Sequence, residues 1–303
     1  MTKKILIIGG TGFLGYHLAK KCISKKWDVT SVSTLKPINK RYLKKVKYQF
    51  IDISNKKLLK KKLKPNYDFV VNFGGYVNHH EKIKTYKSHY KGCKNLSDIF
   101  INNKIKSFIQ IGSCVEYGSL KSPQKENNKM DVKRIKSTYG KAKLMATNYL
   151  LNLNKKYNFP CTILRLYLVY GSHQDNNRLI PHTINECLKN NNFDCSSGKQ
   201  FRDFLYIDDF LRAIFKCLGN KKAVGQIINI GKGKPENVKK VILLIKNKIK
   251  NGKPIFGKVP FRKDEIMKLY PSISKSKKIL NWSPKTKFKK GIKEVIKYYK
   301  DDL

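Results

Sequence analysis

Apolar residues in this chain gather into short runs that end at glycine or a small polar residue. Each run is followed by a lysine-studded stretch with helical spacing. The first run, residues 5–8, closes on GGTGFLG and leads into a helical pattern over 16–26. Further strands are predicted over 27–33, 48–53, 67–75 and 107–112, and helices over 55–63, 84–102 and 137–153. The strands are apolar at successive positions rather than at every second one, as expected when helices cover both faces of a sheet. The alternation predicts an α/β fold of Rossmann type, a doubly wound parallel sheet.

The turn after the first strand carries the first candidate chemistry. Gly9, Gly12 and Gly15 let a strand turn sharply into a helix while backbone approaches a ligand. Thr11, Phe13 and Leu14 lie in the same turn, and the free N–H groups of the helix start form a site for a pyrophosphate. The expected ligand is a dinucleotide. The second strand ends in Ser33-Thr34-Leu35-Lys36, where an NAD-binding unit would place an acidic residue. Small hydroxyls and a cation suit a 2′-phosphate, which tilts the expectation slightly to NADP(H) over NAD(H). Asp52 and Ile53 close the third strand, where Asp52 would meet the adenine amino group. Phe73, Gly74 and Gly75 close the fourth, where a cofactor would lie.

Composition changes this picture little. A net charge of +46 points first to nucleic acid, but only seven of the 66 basic residues are arginine and the lysines follow no single stripe. No specific nucleic-acid partner is expected. No run of about 18 apolar residues is present and the chain enters its first strand directly, so a cytoplasmic location without membrane insertion is expected. Seven cysteines scattered without C-x-x-C pairs read as reduced thiols. His79, His80 and His89 have only Glu81 nearby, and no metal site is expected.

The reaction chemistry is expected about a hundred residues after the glycine turn. Ser113 stands just past the carboxyl end of a strand, where ligands bind in this architecture. Tyr139 and Lys143 are four apart near the start of a helix, hence on one face. A phenol titrates near 10, so a neighbouring ammonium would bring it toward neutrality and could also hold the cofactor ribose. Ser113, Tyr139 and Lys143 are the candidate catalytic residues, with Tyr139 and Lys143 also touching cofactor and Ser113 also touching substrate.

Together with GTGFLG, Ser113 and Y-x-x-x-K, the stretches LRLYLVYG (164–171), RLIP (178–181), RDFLYIDD (202–209), INIG (228–231) and LNWSP (280–284) make the resemblance specific. The chain resembles an extended short-chain dehydrogenase/reductase of the NAD-dependent epimerase/dehydratase type acting on nucleotide sugars. That resemblance implies a smaller C-terminal substrate-binding lobe: residues 1–170, with 204–230 returning, bind NAD(P), while 171–203 and 231–303 close over a nucleoside diphosphate sugar. It also implies a homodimer through the helices at 89–102 and 139–153. Arg178 and Arg202 are rare arginines in a lysine-rich chain, suited to bidentate binding of a diphosphate, and Arg262 joins them as a substrate-binding candidate. Arg202 followed by Asp203 is alternatively a structural ion pair. Three positions depart from the family pattern: Leu168 and His89 each stand where Asn is common, and Ser272 where an acid is usual.

The residues after Ser113 choose among family members. Sugar 4,6-dehydratases carry an Asp-Glu pair there, whereas this chain has Cys114-Val115, read here as core. The epimerase-reductase that makes GDP-fucose uses a cysteine and a histidine at the positions of Val115 and Arg178. What remains needs only hydride and Tyr139. The expected reaction is reduction of the C4 keto group of an NDP-4-keto-6-deoxyhexose, of the kind used in polysaccharide biosynthesis. The alternatives are an NDP-sugar 4-epimerase with retained NAD, or a catalytically inactive dinucleotide-binding protein.

Overall fold

Seven of the apolar runs lie side by side in one parallel sheet. The computed structural model describes residues 2–78, 80–128, 130–262 and 265–301. The strands are β1 Lys4–Ile8, β2 Asp28–Ser33, β3 Val46–Phe50, β4 Phe69–Asn72, β5 Ser107–Ser113, β6 Cys161–Leu166, β7 Leu168–Tyr170, β8 Asn192–Cys195, β9 Phe201–Arg202, β10 Phe204–Tyr206, β11 Gln226–Ile230, β12 Glu236–Asn237, β13 Lys253–Phe256 and β14 Lys268–Leu269. The main sheet runs β11-β6-β5-β4-β1-β2-β3, with every neighbouring pair parallel. The chain reverses its direction of winding between β1 and β4, which opens a crevice beyond the carboxyl ends of those strands.

Ten α-helices accompany the strands among the described residues: α1 Phe13–Ser24, α2 Lys56–Lys62, α3 Lys82–Tyr86, α4 Gly92–Phe100, α5 Thr138–Tyr157, α6 Leu179–Leu188, α7 Ile207–Cys217, α8 Val238–Ile249, α9 Ser274–Leu280 and α10 Phe288–Asp301. The two-residue period of β1 explains its unbroken apolar sequence. Ile5 and Ile7 join a core with Leu18 and Cys22 of α1 and Phe210 and Ile214 of α7. Leu6 and Ile8 join the opposite core with Leu59 of α2, Leu96 and Phe100 of α4 and Leu150 of α5. A third core lies apart from the sheet, built by α6, α8 and α10 with Phe193, Phe204 and Tyr170. Leu280 and Trp282, placed in the smaller lobe from sequence, belong instead to the core under the sheet. The Trp282 indole N–H donates to the Asp209 carbonyl of α7 at 3.0 Å.

Element ends differ from the periodicity reading for local reasons. β3 stops at Phe50 rather than at 53, because Asp52 Oδ1 accepts from Ser54 N–H at 2.8 Å and starts the turn that Asn55 completes by capping α2. The predicted helix over 84–102 is α3 and α4 joined by a wide π turn, Lys87–Lys91. Ser137 caps α5 by accepting from Gly140 N–H at 3.1 Å, and Asn158 ends it in the left-handed conformation (φ 52°). All seven cysteines are free and buried.

Candidate active site

The crevice at the β1/β4 switch is floored by the glycine turn. Gly9 has φ +76°, a conformation side chains rarely adopt, and this bends the chain out of β1. A Cβ on Gly15 would stand 2.3 Å from the Gly9 carbonyl oxygen, so α1 packs against the turn at a distance only glycine permits. Gly12 occupies the N-cap position, and no side chain caps α1. An uncapped helix start behind close-packed glycines fits a pyrophosphate, whose oxygens would take the place of the missing cap. Ser33 lies beside this turn, with Thr11 N–H 3.4 Å from its hydroxyl. Thr34, Lys36 and Asp52 are exposed near the carboxyl ends of β2 and β3. Asn72 shapes the end of β4: its Oδ1 accepts from Gly74 N–H at 2.9 Å and its amide donates to Gln110 at 2.7 Å. Phe73 then lies against Gly9.

Ser113, Tyr139 and Lys143 meet at the end of β5. Ser113 ends the strand, and its hydroxyl hydrogen-bonds the phenol of Tyr139, which enters from the first turn of α5. Burial pushes the phenol up to about 12, while Ser113 and the charge of Arg178 pull it back. Lys143, one helical turn on, is buried and lies 5.8 Å from the Tyr139 ring centre. Its ammonium donates to the Ile111 carbonyl at 2.7 Å. Burial lowers the ammonium to about 8 against the raising effect of Glu116. The expected depression of the phenol toward neutrality is therefore absent in this form of the protein, because burial outweighs the neighbouring charges. His89, in the π turn, packs edge-on against Tyr139 with ring centres 4.8 Å apart. His80 is exposed and His89 buried, so they do not converge; His79 lies outside the described residues.

Two charged residues that the sequence reading left unassigned sit directly under this trio. Glu116 and Arg165 form a buried ion pair at 2.9 Å, with side-chain exposures of 0% and 2%. The signals were present: a glutamate inside the CVEY turn and a lone arginine inside the apolar strand CTILRL.

The candidate substrate arginines are within electrostatic reach of these residues or of one another. Arg178 stands at the N-cap of α6, close enough for its charge to act on Tyr139. Arg202 acts on the Cys114 thiol, and Arg262 acts on Arg202. Arg202 does not pair with Asp203. It pairs with Glu265 and donates to the Ile266 carbonyl at 2.6 Å. Asp203 instead accepts from the N–H groups of Lys232 and Gly233, both at 2.7 Å. Leu168, where the family often has Asn, is 41% exposed.

Residues 5–231 match the model of the NAD dependent epimerase/dehydratase family. The chain belongs to this family. It is accordingly an extended short-chain dehydrogenase/reductase of the nucleotide-sugar type, with the fold that its motifs predicted. Among curated members, a putative UDP-glucose 4-epimerase of Methanocaldococcus jannaschii is 29% identical over 98% of this chain and 99% of its own. A CDP-abequose synthase of Salmonella muenchen is 26% identical over 98% of each. In fold, the chain superposes on the UDP-glucose 4-epimerase of Thermotoga maritima, solved with UDP-glucose, with TM-score 0.92, 24% identity and 99% of both chains covered. No helix among the described residues is long and apolar enough to cross a membrane.

Proposed function

We propose that this family member is an NAD(P)-dependent reductase of the C4 keto group of an NDP-4-keto-6-deoxyhexose. One observation carries the reading: Ser113 is hydrogen-bonded to the phenol of Tyr139, and Cys114-Val115 rather than a carboxylate pair stands immediately after Ser113. A bound nicotinamide supplies the hydride. The hydroxyls of Ser113 and Tyr139 hydrogen-bond the ketone oxygen, and Tyr139 delivers its proton to that oxygen as the alcohol forms. Burial, which pushes the phenol up to about 12, keeps its proton in place at neutral pH, where the ketone oxygen can take it up as hydride arrives. Lys143 holds the cofactor ribose through its ammonium. Dehydration is disfavoured because Val115 carries no proton and the buried Cys114 thiol, pushed up to about 12, retains its own. Arg178, Arg202 and Arg262 bind the diphosphate. NADP(H) belongs to this proposal on the strength of Ser33, Thr34 and Lys36. Arg41, nearest to them in sequence among the arginines, is held elsewhere, by the His173 carbonyl at 3.0 Å and by Asp175 at 2.6 Å.

A second reading, an NDP-sugar 4-epimerase with retained NAD, is favoured by the 29% identity to a putative UDP-glucose 4-epimerase. The assay is loss of NADPH absorbance with 4-keto-6-deoxyhexoses linked to dTDP, CDP, GDP and UDP. Turnover is expected with one of them, and Tyr139→Phe should lower it by roughly 100-fold or more while cofactor binding is kept. NAD copurifying with the protein, and interconversion of UDP-glucose and UDP-galactose without added cofactor, would replace the reductase by the epimerase. Failure of both reactions would leave the dinucleotide-binding protein. We also propose a homodimer through the helices at 89–102 and 139–153, that is through α4 with the turn before it and α5. Light scattering should give twice the chain mass.

A further inference from the structure

Below the catalytic trio, Glu116 connects the backbone elements that carry it. Its Oε1 accepts from Ser113 N–H at 2.8 Å. Its Oε2 accepts from Arg165 Nε at 2.9 Å and from the Thr147 hydroxyl at 2.8 Å. Thr147 follows Lys143 by one turn on the buried face of α5, and Lys143 follows Tyr139 by one turn. One carboxylate therefore touches the end of β5, the helix bearing Tyr139 and Lys143, and β6. The local sequence is built around it. A Cβ at position 112 would stand 2.5 Å from Glu116 Oε1, so Gly112 leaves the room the carboxylate occupies. Arg165 is the register partner of Gly112 across β5 and β6. The other oxygen closes the capping box of the Cys114–Tyr117 turn by accepting from the Ser113 N–H, which ties the ion pair to the residue that ends β5.

We propose that Glu116 is a positioning residue: it fixes the end of β5 that presents Ser113 and, tied to Thr147 one turn beyond Lys143, sets a buried negative charge near the Lys143 ammonium. The proposal rests on the catalytic roles given above to Ser113, Tyr139 and Lys143. Two oxygens receive three donors, one of them a guanidinium, so both oxygens are engaged as acceptors. Among the described residues, Glu116 is the carboxylate whose charge acts on Lys143. The groups facing it are the Ile111 carbonyl from β5, the neutral Cys93 thiol from α4 and Tyr139 from its own helix. The groups facing Glu116 are Arg165 from β6, Tyr117, over whose ring the guanidinium lies at 4.4 Å, and the hydroxyl of Thr147. Burial alone drives an ammonium toward its neutral form, and a nearby carboxylate is what opposes that in a dry site.

The test reads Lys143 directly, by trace acetylation with acetic anhydride over a pH series and mass spectrometry of the Lys143 peptide in the intact protein. Glu116→Gln leaves the Arg165 charge buried and unpaired and can fail to fold, so Glu116→Gln/Arg165→Met, which removes both charges, carries the result. The expected outcome is that the double variant melts cooperatively while the Lys143 midpoint drops by roughly one pH unit or more. Thr147→Val, which removes a neutral tether, should leave that midpoint in place. The acid limb of NAD(P)H oxidation should move with the midpoint. A folded double variant whose Lys143 titrates as in the unmodified protein would overturn the proposal and reduce the pair to a structural one. Absence of turnover in the unmodified protein, with the midpoint shift present, would sink the reductase reading and leave the role of Glu116 standing.

Discussion

At the scale of single residues, the site is a set of side chains whose protonation is decided by how dry their surroundings are. Lys143 is buried and lowered from 10.5 to about 8, chiefly by burial. A cation whose folded pKa is depressed contributes relative stability above its unfolded pKa and loses it as pH falls through the folded value. Between about 8 and 10.5 the unfolded chain binds the extra proton, so the native state gains relative stability as pH rises through that window. Near pH 7 the buried ammonium costs about 3 kcal/mol, less whatever its bond to the Ile111 carbonyl returns. Lys143→Met should therefore be the more stable protein near neutrality in urea melts, with a gap that narrows toward pH 10. It should also be inactive, the usual exchange between a strained site and stability. A gap independent of pH would show that Lys143 is not the titrating group.

At the scale of elements, each functional side chain is aimed by an end rather than by a middle. Ser113 is the last residue of β5, Tyr139 lies in the first turn of α5, and the glycine turn joins β1 to α1. Ends can be aimed because caps and glycines determine them locally. Asx and Ser caps ended or began β3, α2 and α5 at positions that hydrophobic periodicity could not register, since a cap is one polar residue beside a period of many. Gly15 is the sharpest case. Gly15→Val places side-chain atoms where the Gly9 carbonyl and the Gly10 Cα stand, at 2.3 and 2.6 Å from the new Cβ. The helix must back away from the turn, and NAD(P)H binding measured by nucleotide fluorescence should weaken roughly 100-fold or more, at about 1.4 kcal/mol per decade. Binding within twofold of the unmodified protein would place the pyrophosphate elsewhere.

At the scale of the whole molecule, two bodies of core meet across the crevice and are tied by polar contacts. The Tyr298 hydroxyl reaches His173 Nδ1 at 3.1 Å and Tyr16 of α1 reaches its Nε2 at 3.3 Å, joining α10 to the nucleotide-binding face. On the other flank Arg202 is secured by Glu265 and by two backbone carbonyls, so its guanidinium is preorganised rather than free in solvent. Arg202→Lys keeps the charge and loses the planar fork. The expected effect is a rise in KM for the sugar nucleotide of about tenfold with kcat nearly unchanged, while KM for NAD(P)H does not move. Equal changes in both KM values would indicate a displaced lobe rather than a lost contact.

Near-neighbour physics is written along the chain. Short apolar runs closed by glycine, the G-x-x-G-x-x-G turn, the strand-end serine and Y-x-x-x-K declared a parallel α/β sheet, a dinucleotide and the family, because each depends on residues within a turn of one another. The sign and partners of buried charges were not written there. That Arg202 pairs with Glu265 and not with Asp203, and that Glu116 pairs with Arg165 beneath Ser113, depends on which segments lie together, 63 and 49 residues apart in the chain. The phenol of Tyr139 shows the division most clearly. Its place beside Lys143 follows from helical spacing, but its rise to about 12 follows from the water that the assembled fold excludes. Proximity along a helix is a property of sequence; dielectric environment exists only once the chain has closed around the site.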